Sequence, residues 1–235
     1  MKRFYKEVAV EPAPVAGDGW RVTLDGRGIK TQMGANQIVP SRALAEAMAA
    51  EWAGQGAEID AARFVFRDLA DYAIDIAAKE GVDLLRFAET DTLCYRAEPD
   101  DPLAARQREL WDPILGALET KLGVGFDRIC GIVHRPQPPA TIAALKALLD
   151  AADPFTLAAL NTMASLAASL AVALAALEDG ADPETLYAAA NAEEDWQAEH
   201  WGWEWTAEEK RAKKLAEFTA AFAFARLTKA DRPSD

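Results

Sequence analysis

A stretch of 23 residues, 155–177, contains no charged side chain, and this limits the possible folds more than any other feature of the sequence. As a helix it would be long enough to cross a bilayer. Alanine is its commonest residue, and its bulky residues recur every three or four positions: Leu157, Leu160, Met163, Leu166, Leu170, Leu174 and Leu177. A membrane span is usually bulkier and carries interfacial aromatic residues. The pattern therefore predicts one buried helix at the centre of a helical domain, without stable membrane insertion.

The first forty residues carry the signals of strands and turns instead. Residues 20–24 alternate between apolar and polar side chains, as a half-buried strand does. The dipeptide Asp25-Gly26 is a strong hairpin signal, so residues 27–31 are expected to form the returning strand. Residues 4–10 alternate less regularly, and residues 17–19 supply another turn. These signals predict a small β unit that would not be stable alone.

From residue 41 onward the signals are those of helices. Ser41 follows a proline and can cap a helix over residues 44–52. The dipeptide Asp-Pro marks further helix starts, because Asp is a good cap and Pro lacks a donor that would be unsatisfied there anyway. It occurs at 101–102, 153–154 and 182–183, and a fourth copy at 112–113 is expected to kink or restart a running helix. Further helices are predicted at 67–78, 141–151, 183–201 and 207–227.

These elements together predict an α+β fold. Two short apolar segments, 93–96 and 129–133, are strand candidates, and if both are strands they can pair. The predicted organisation is a small N-terminal β domain at residues 1–40, a larger, mainly α-helical domain at 41–228 and a disordered tail at 229–235.

The charge balance excludes several kinds of partner. Acidic residues outnumber basic ones 38 to 25, which gives a formal net charge of −13. Nucleic-acid binding needs clustered Lys and Arg on phosphates, and anionic lipid attracts basic rather than acidic proteins. No apolar segment follows the charged residues at the start, so no secretory signal is visible. We expect a cytoplasmic protein that binds neither nucleic acid nor membranes.

Residues that carry common active-site chemistry are scarce. The chain contains no P-loop, dinucleotide-binding fingerprint, serine-hydrolase elbow or zinc-protease motif. Cys94 and Cys130 have neither disulfide nor metal-site spacing and are expected to be reduced and partly buried. Cys130 and His134 are four residues apart, but Pro136 is so close that a packed cysteine and a surface histidine are favoured over a catalytic pair. The sequence thus predicts no catalytic residue, no metal and no cofactor.

The densest cluster of unusual residues is the acidic–aromatic segment, residues 193–205. It holds four of the seven tryptophans and five carboxylates. On a helix, Asp195 and Glu199 would share one face, and Trp196 and His200 the neighbouring one. The tryptophans could anchor the last two helices, the carboxylates could resemble a glycosidase pair, or the segment could bind a partner. Carboxylates on one helical turn flank a sugar bond poorly, whereas Trp supplies interface area and charges select the partner.

A second dense segment, residues 87–96, is interpreted as a structural corner. Asp91 lies between two threonines and is expected to accept hydrogen bonds from nearby backbone at a chain reversal. Arg96 could pair with Asp91 or Glu89.

These segments, taken in order, resemble the assembly chaperone family for the alpha subunit of the F(1) sector of ATP synthase. The likeness covers nearly the whole chain, and no single motif carries it alone. The matching residues are Arg3-Phe4-Tyr5-Lys6, Leu24-Asp25-Gly26-Arg27, Lys30-Thr31, Pro40-Ser41, Leu44-Ala45, Ala50-Glu51-Trp52, Gln55, Ala73-Ile74-Asp75, Glu89-Thr90-Asp91-Thr92-Leu93-Cys94-Tyr95-Arg96, Gln107, Trp111-Asp112-Pro113, Glu193-Glu194-Asp195-Trp196-Gln197 and Trp201-Gly202. The chain departs from the family pattern at Gln32, where Pro is usual, and at Phe64-Val65-Phe66.

The resemblance implies a non-enzymatic chaperone that is monomeric when free. It would bind the unassembled alpha subunit and shield its intersubunit surface until the beta subunit displaces it. The family gives weight to the acidic segment, here Glu193, Glu194 or Asp195, with Glu194 the first choice. Glu199 and Trp201 complete the predicted partner-binding set. The alternatives are a small hydrolase that uses carboxylates or Cys130 and His134, and a non-catalytic scaffold module.

Overall fold

The computed structural model describes residues 1–14, 19–131, 133–202 and 205–230, without the side chain of Trp205. They form two compact units, Met1–Val82 with Asp153–Ala159 and Ala223–Asp235, and Asp83–Ala152 with Leu160–Phe222. Most of the predicted turn at 17–19 lies outside the described residues, as do residues 231–235 of the predicted tail. The α+β fold, with N-terminal strands and a mostly helical remainder, is confirmed. The domain boundary at residue 40 stays a prediction.

Three antiparallel strands open the first unit in the order β1-β2-β3. They are β1 (Val8–Pro12), β2 (Trp20–Leu24) and β3 (Arg27–Gly28). Asp25 and Gly26 both have positive φ, 49° and 76°, as a type I′ hairpin turn requires, which confirms the predicted turn. The first strand begins later than predicted, because the Asp25 carboxylate accepts the backbone N–H groups of Lys6 and Glu7 at 3.0 and 2.8 Å.

Helix α1 (Arg42–Ala53) begins at its predicted cap. The Ser41 hydroxyl accepts from Leu44 N at 3.0 Å and donates to Leu227 O at 2.5 Å. Trp52 is buried at the end of α1, where its carbonyl accepts the Tyr5 hydroxyl at 2.6 Å.

A π-helical turn interrupts the predicted helix at 67–78. The chain runs through a 3₁₀ turn (Ala61–Arg63), α2 (Val65–Tyr72), the π turn (Ala73–Ala77) and α3 (Ala78–Glu80). Two buried acids on this run hold the loop that follows β3. Asp75 accepts from Thr31 Oγ1 at 2.9 Å and from Met33 N at 3.1 Å, and Asp71 accepts from Gln32 N at 3.2 Å. Their burial keeps these carboxylates paired with the loop rather than with solvent.

The second unit begins with short elements around one long helix. They are α4 (Leu85–Glu89), a 3₁₀ turn (Thr92–Cys94), β4 (Tyr95–Arg96), α5 (Pro102–Leu122), β5 (Ile129–Cys130) and α6 (Pro139–Asp150). The two predicted strand candidates do pair, in parallel, over two residues each. Asp101 caps α5, and Pro113 lies inside this helix without restarting it.

Arg96 and Cys130 differ from their predictions. Arg96 forms an ion pair with Asp112 at 2.8 Å instead of with Asp91 or Glu89. The reason is its other contacts: its Nε donates to Leu93 O, and its guanidinium lies 5.1 Å from the centre of the Trp111 ring. Both cysteines are free, but only Cys94 is buried, whereas Cys130 on the two-residue strand β5 is exposed.

The predicted single helix over 155–177 is wrong, because the chain forms α7 (Pro154–Ala167) and α8 (Leu170–Ala175). Ala168 between them has a φ of 47°, which breaks the helix. Asp91 stabilises the break by accepting from the Ser169 hydroxyl at 2.7 Å and from Ala171 N at 2.9 Å. Both helices are largely buried, as expected. None of the helices in the described ranges is long and apolar enough to span a membrane.

The last part of the chain is helical, with a second unpredicted break. It forms α9 (Pro183–Ala190), α10 (Ala192–Trp201) and α11 (Trp205–Lys229). Residues 183–201 therefore do not make one helix, since Asn191 has the non-helical pair φ −104° and ψ 21°. The predicted caps Asp153 and Asp182 both accept backbone N–H groups at the starts of α7 and α9. Helix α11 extends to Lys229, the first residue of the predicted tail.

We predict that Asp91→Ala destabilises the protein by at least about 3 kcal/mol, because three buried donors (Leu93 N, Ser169 Oγ and Ala171 N) lose their acceptor. The matched control is Asp101→Ala, which removes an exposed cap that also accepts from the amide two residues on. It should cost about 1 kcal/mol. Urea denaturation measures both, and equal losses would contradict the anchoring role of Asp91.

The stability contributed by Asp91 is also expected to depend on pH. Burial raises the pKa of Asp91 from 3.8 to about 6. Between these values the folded state keeps a proton that the unfolded state has released, so this stability is present below pH 4 and is lost as the pH rises through 6. The free energy of unfolding of the wild type, minus that of Asp91→Asn, should fall by about 1.4 kcal/mol per pH unit in that window. Parallel pH profiles for the two proteins would refute this.

Candidate partner-binding surface

Helix α5 fixes the position of the acidic–aromatic segment in the second unit. The buried Gln107 side chain donates to Glu193 Oε1 at 2.5 Å and accepts from Ala97 N at 2.8 Å. One turn further along α5, Trp111 Nε1 donates to Ala189 O at 2.6 Å, at the end of α9. These two contacts hold the start of α10 against α5. The orientation of the acidic side chains on α10 therefore depends on residues of α5, outside the acidic–aromatic segment.

Two other acids of α10 are held by arginines. Glu199 forms a two-bond ion pair with Arg106 of α5, at 2.6 and 2.8 Å. Asp195 pairs with Arg211 of α11 at 2.6 Å, and each of these two side chains is only about a fifth exposed. The two carboxylates predicted to share a face are therefore both engaged within the protein, as components of its structure.

The pKa shifts of these acids follow their surroundings. Burial raises the pKa of Glu193 more than its hydrogen bond from Gln107 lowers it. Burial likewise raises the pKa of Asp195, against the lowering effect of Arg211. The hydrogen bonds from Arg106 lower the pKa of the exposed Glu199. The pKa of each of the three carboxylates is thus changed by a neighbouring side chain of the protein.

Glu194 differs from the other three acids. It is exposed and forms no ion pair or hydrogen bond through its side chain within the described part of the chain. Trp201, at the end of the same helix, is 79% exposed, the highest value among the large apolar side chains that the structure describes. A free carboxylate and an exposed indole on one short helix are features of a partner-binding surface.

An open groove of about 440 Å³ lies beside these two residues. Helix α10 lines it with Glu194, Gln197 and Trp201, and α11 lines it with Lys210, Arg211 and Lys214. We call it the α10–α11 groove. Tyr187 of α9 also lines it and is almost completely buried. The groove therefore presents both signs of charge around an aromatic base.

The tryptophans of the segment do not all serve as anchors. Trp196 is half-buried, and its ring lies 4.5 Å from the ring of His200, as the predicted shared face requires. Trp201 is exposed, and residues 203 and 204 and the side chain of Trp205 lie outside the described structure. The interpretation in which all the aromatic residues pack between the last two helices thus fails for Trp201.

Three residues of the catalytic alternative, His134, Asp195 and Glu199, contact other side chains. His134 Nδ1 lies 3.0 Å from the Tyr95 hydroxyl, and Asp195 and Glu199 are paired with arginines. Among the described residues, no group of three or more His, Cys, Asp or Glu side chains could hold a metal ion.

Comparison with known proteins identifies the class. Residues 2–119, half of the chain, match the model of a family described as ATP12 chaperone protein. The fold is similar to that of an aspartate-to-lysine mutant of Paracoccus denitrificans Atp12p, with 32% identity, a TM-score of 0.90 and 97% of each chain covered. It is similar to Atp12 from the same organism, at 31% identity and a TM-score of 0.86 over 97% of this chain and 98% of that one. It is also similar to the Atu1473 protein of Agrobacterium tumefaciens, at 38% identity and a TM-score of 0.89 over 96% of this chain and 85% of that one.

These matches and the fold define the protein as a chaperone. More specifically, the chain belongs to the ATP12 chaperone family, which confirms the resemblance carried by its sequence motifs. The predicted site residues Glu193, Glu194, Asp195, Glu199 and Trp201 all lie on α10. Three of the acids are hydrogen-bonded or ion-paired within the protein, whereas Glu194 is not and Trp201 is largely exposed.

Sequence reasoning missed the residues that make this division. Arg106 and Arg211 are the ion-pair partners, and Lys210 and Lys214 line the groove. Arg106 is 93 positions from Glu199, so no local pattern connects them. The spacing of Lys210 and Lys214, four residues apart on a predicted helix, was a signal for a shared face.

We predict that the acids of α10 differ in their effect on stability. Asp195→Ala should lower the free energy of unfolding by about 1–3 kcal/mol, because Arg211 loses a partly buried carboxylate. Glu199→Ala should cost less than Asp195→Ala, because an exposed ion pair contributes little to stability. Glu194→Ala should stay within about 0.5 kcal/mol of the wild type. Urea denaturation of the three variants measures this order. A larger loss for Glu194→Ala than for Asp195→Ala would reverse the structural assignment.

Proposed function

We propose that this chaperone binds the unassembled alpha subunit of ATP synthase and promotes assembly of the catalytic F(1) sector. The contact surface is the exposed side of α10, with Glu194 and Trp201 at its centre. The protein acts in the cytoplasm as a monomer and shields the alpha subunit until the beta subunit replaces it. The observation that supports this best is the free Glu194 carboxylate beside the 79% exposed Trp201, on a helix whose other acids are engaged.

The physical reasoning starts from the client. An unassembled subunit exposes an apolar interface, which is an aggregation liability. A chaperone that covers it must compete with self-association of the client and still be displaced during assembly. Trp201 offers a large apolar contact area, and Glu194 selects a client that places a cation opposite it. The engaged acids Glu193, Asp195 and Glu199 hold this pair in place without contributing charge that a partner could use.

We predict that Glu194→Lys weakens binding to the alpha subunit at least about thirtyfold, since breaking a buried ion pair costs about 2–5 kcal/mol. Glu98→Lys is the matched control: it makes the same charge change at an exposed acid of the same unit, outside α10. Size-exclusion chromatography and titration against isolated alpha and beta subunits measure binding. Circular dichroism checks that each variant keeps its helix content.

A one-to-one complex with alpha but not beta, lost in Glu194→Lys and kept in Glu98→Lys, is the expected result. A wild-type protein that is folded and forms no complex with alpha would refute the proposed function and favour a scaffold role. Equal weakening in both variants would indicate a general charge effect instead of a contact at Glu194.

A further inference from the structure

The α10–α11 groove holds three charged side chains that the rest of the protein does not use. Glu194 lies on the α10 wall, and Lys210 and Lys214 lie on the α11 wall. None of the three forms an ion pair with another residue in the described ranges, including with each other across the groove. Charges that line a concave surface and stay unpaired are available to a partner.

Two neighbouring cations of α11, Arg211 and Lys213, lie next to acids. Arg211, between the two lysines in sequence, pairs with Asp195 of α10 at 2.6 Å. Lys213, next to Lys214 in sequence, does not line the groove and lies 3.9 Å from Glu217 of its own helix. Lys214 and Lys213 therefore differ in both respects, since Lys214 lines the groove unpaired and Lys213 lies outside it beside an acid.

The base of the groove is well ordered by packing. Tyr187 is 1% exposed, and its ring lies 5.5 Å from that of Phe218. The Arg211 guanidinium lies 5.4 Å from the centre of the Tyr187 ring while it pairs with Asp195. This stack joins α9, α10 and α11, so the two walls are held apart before any partner arrives. A preformed site loses less conformational entropy on binding.

We propose that the α10–α11 groove receives a segment of the client that carries both a carboxylate and a cation. The carboxylate pairs with Lys210 and Lys214, the cation pairs with Glu194, and an apolar side chain of the segment packs on Trp201. Lys210 and Lys214 are four residues apart, so they lie on one face of α11, where one carboxylate can contact both ammonium groups. This inference rests on the proposed function, since the client is the alpha subunit.

The negative net charge of the protein restricts where a client carboxylate can bind, and this favours Lys210 and Lys214. With a net charge of −13, most of the surface repels an acidic segment. A client carboxylate is therefore accepted only where local cations are unpaired, and a segment with carboxylates alone is rejected by Glu194. A groove with both signs fixes the direction in which the segment lies, because reversing it would place like charges together.

Adjacent lysines of α11 provide the test. Lys214→Glu and Lys213→Glu make the same charge change on neighbouring positions of one helix, one inside the groove and one outside it. Binding of each full-length variant to the isolated alpha subunit is measured by titration calorimetry at two salt concentrations. We expect Lys214→Glu to weaken binding at least tenfold, the pair Lys210→Glu and Lys214→Glu to weaken it further, and Lys213→Glu to stay within twofold of the wild type.

The outcomes separate this inference from the proposed function. If the wild type binds alpha and Lys214→Glu binds as tightly as the wild type, or more tightly, the inference is overturned and the proposed function stands. If Lys213→Glu and Lys214→Glu weaken binding equally, the groove does not contact the client and the inference is again overturned. No complex with the wild type overturns both. Lys214→Gln, which removes the charge without reversing it, should give a smaller loss and retain the wild-type unfolding curve.

Discussion

The second unit depends on one buried carboxylate. Asp91 is 1% exposed and accepts hydrogen bonds from three donors, one of them local and two from the start of α8. Burying a carboxylate is costly unless its oxygens are hydrogen-bonded. The corner at residues 90–96 and the break between α7 and α8 must therefore form together, since neither satisfies its polar groups alone. The same contact orders the chain just before Arg96, which reaches Asp112 on α5.

Helix α5 links the corner around Asp91 to helices α9 and α10. Asp112 and Trp111 contact Arg96, while Trp111 also bonds the end of α9. On the preceding turn, Arg106 and Gln107 bind Glu199 and Glu193 of α10. One helix thus connects the buried corner to the acids of α10. The division of those acids into engaged and free residues is a consequence of packing that begins at a distance from the surface itself.

Local chemistry in the sequence predicted much of this fold. Ser41, Asp101, Asp153 and Asp182 cap helices because each needs only amide groups two to four positions away, and the Asp25-Gly26 turn is equally local. The two helix breaks were not predictable in this way. Alanine-rich sequence around Ala168 favours a continuous helix. Ser169 caps α8 locally by accepting from Val172 N at 3.0 Å, and the distant Asp91 holds this cap in place.

The candidate site shows the same limit. Five acids in one segment pointed to this part of the chain, four of them lie on α10, and Trp201 was among the predicted contacts. Nothing in the sequence shows that Asp195 is paired and Glu194 is free. The difference arises because Asp195 on α10 faces Arg211 on α11 and forms an ion pair with it. Which acid is free depends on the tertiary structure. The family resemblance limited the choice to the three adjacent residues Glu193, Glu194 and Asp195.

The engagement of Glu193, Asp195 and Glu199 also couples recognition to the folding state of the chaperone. Their partners are 86, 16 and 93 residues away in the chain. In an unfolded or partly folded chain all the acids of residues 193–199 would be equally available, and they would attract basic segments of any protein without selection. The acids of α10 therefore become unequal only when α5, α10 and α11 have assembled. In the folded chain, Glu194 is the acid among these four whose side chain has no hydrogen bond or ion pair within the described residues.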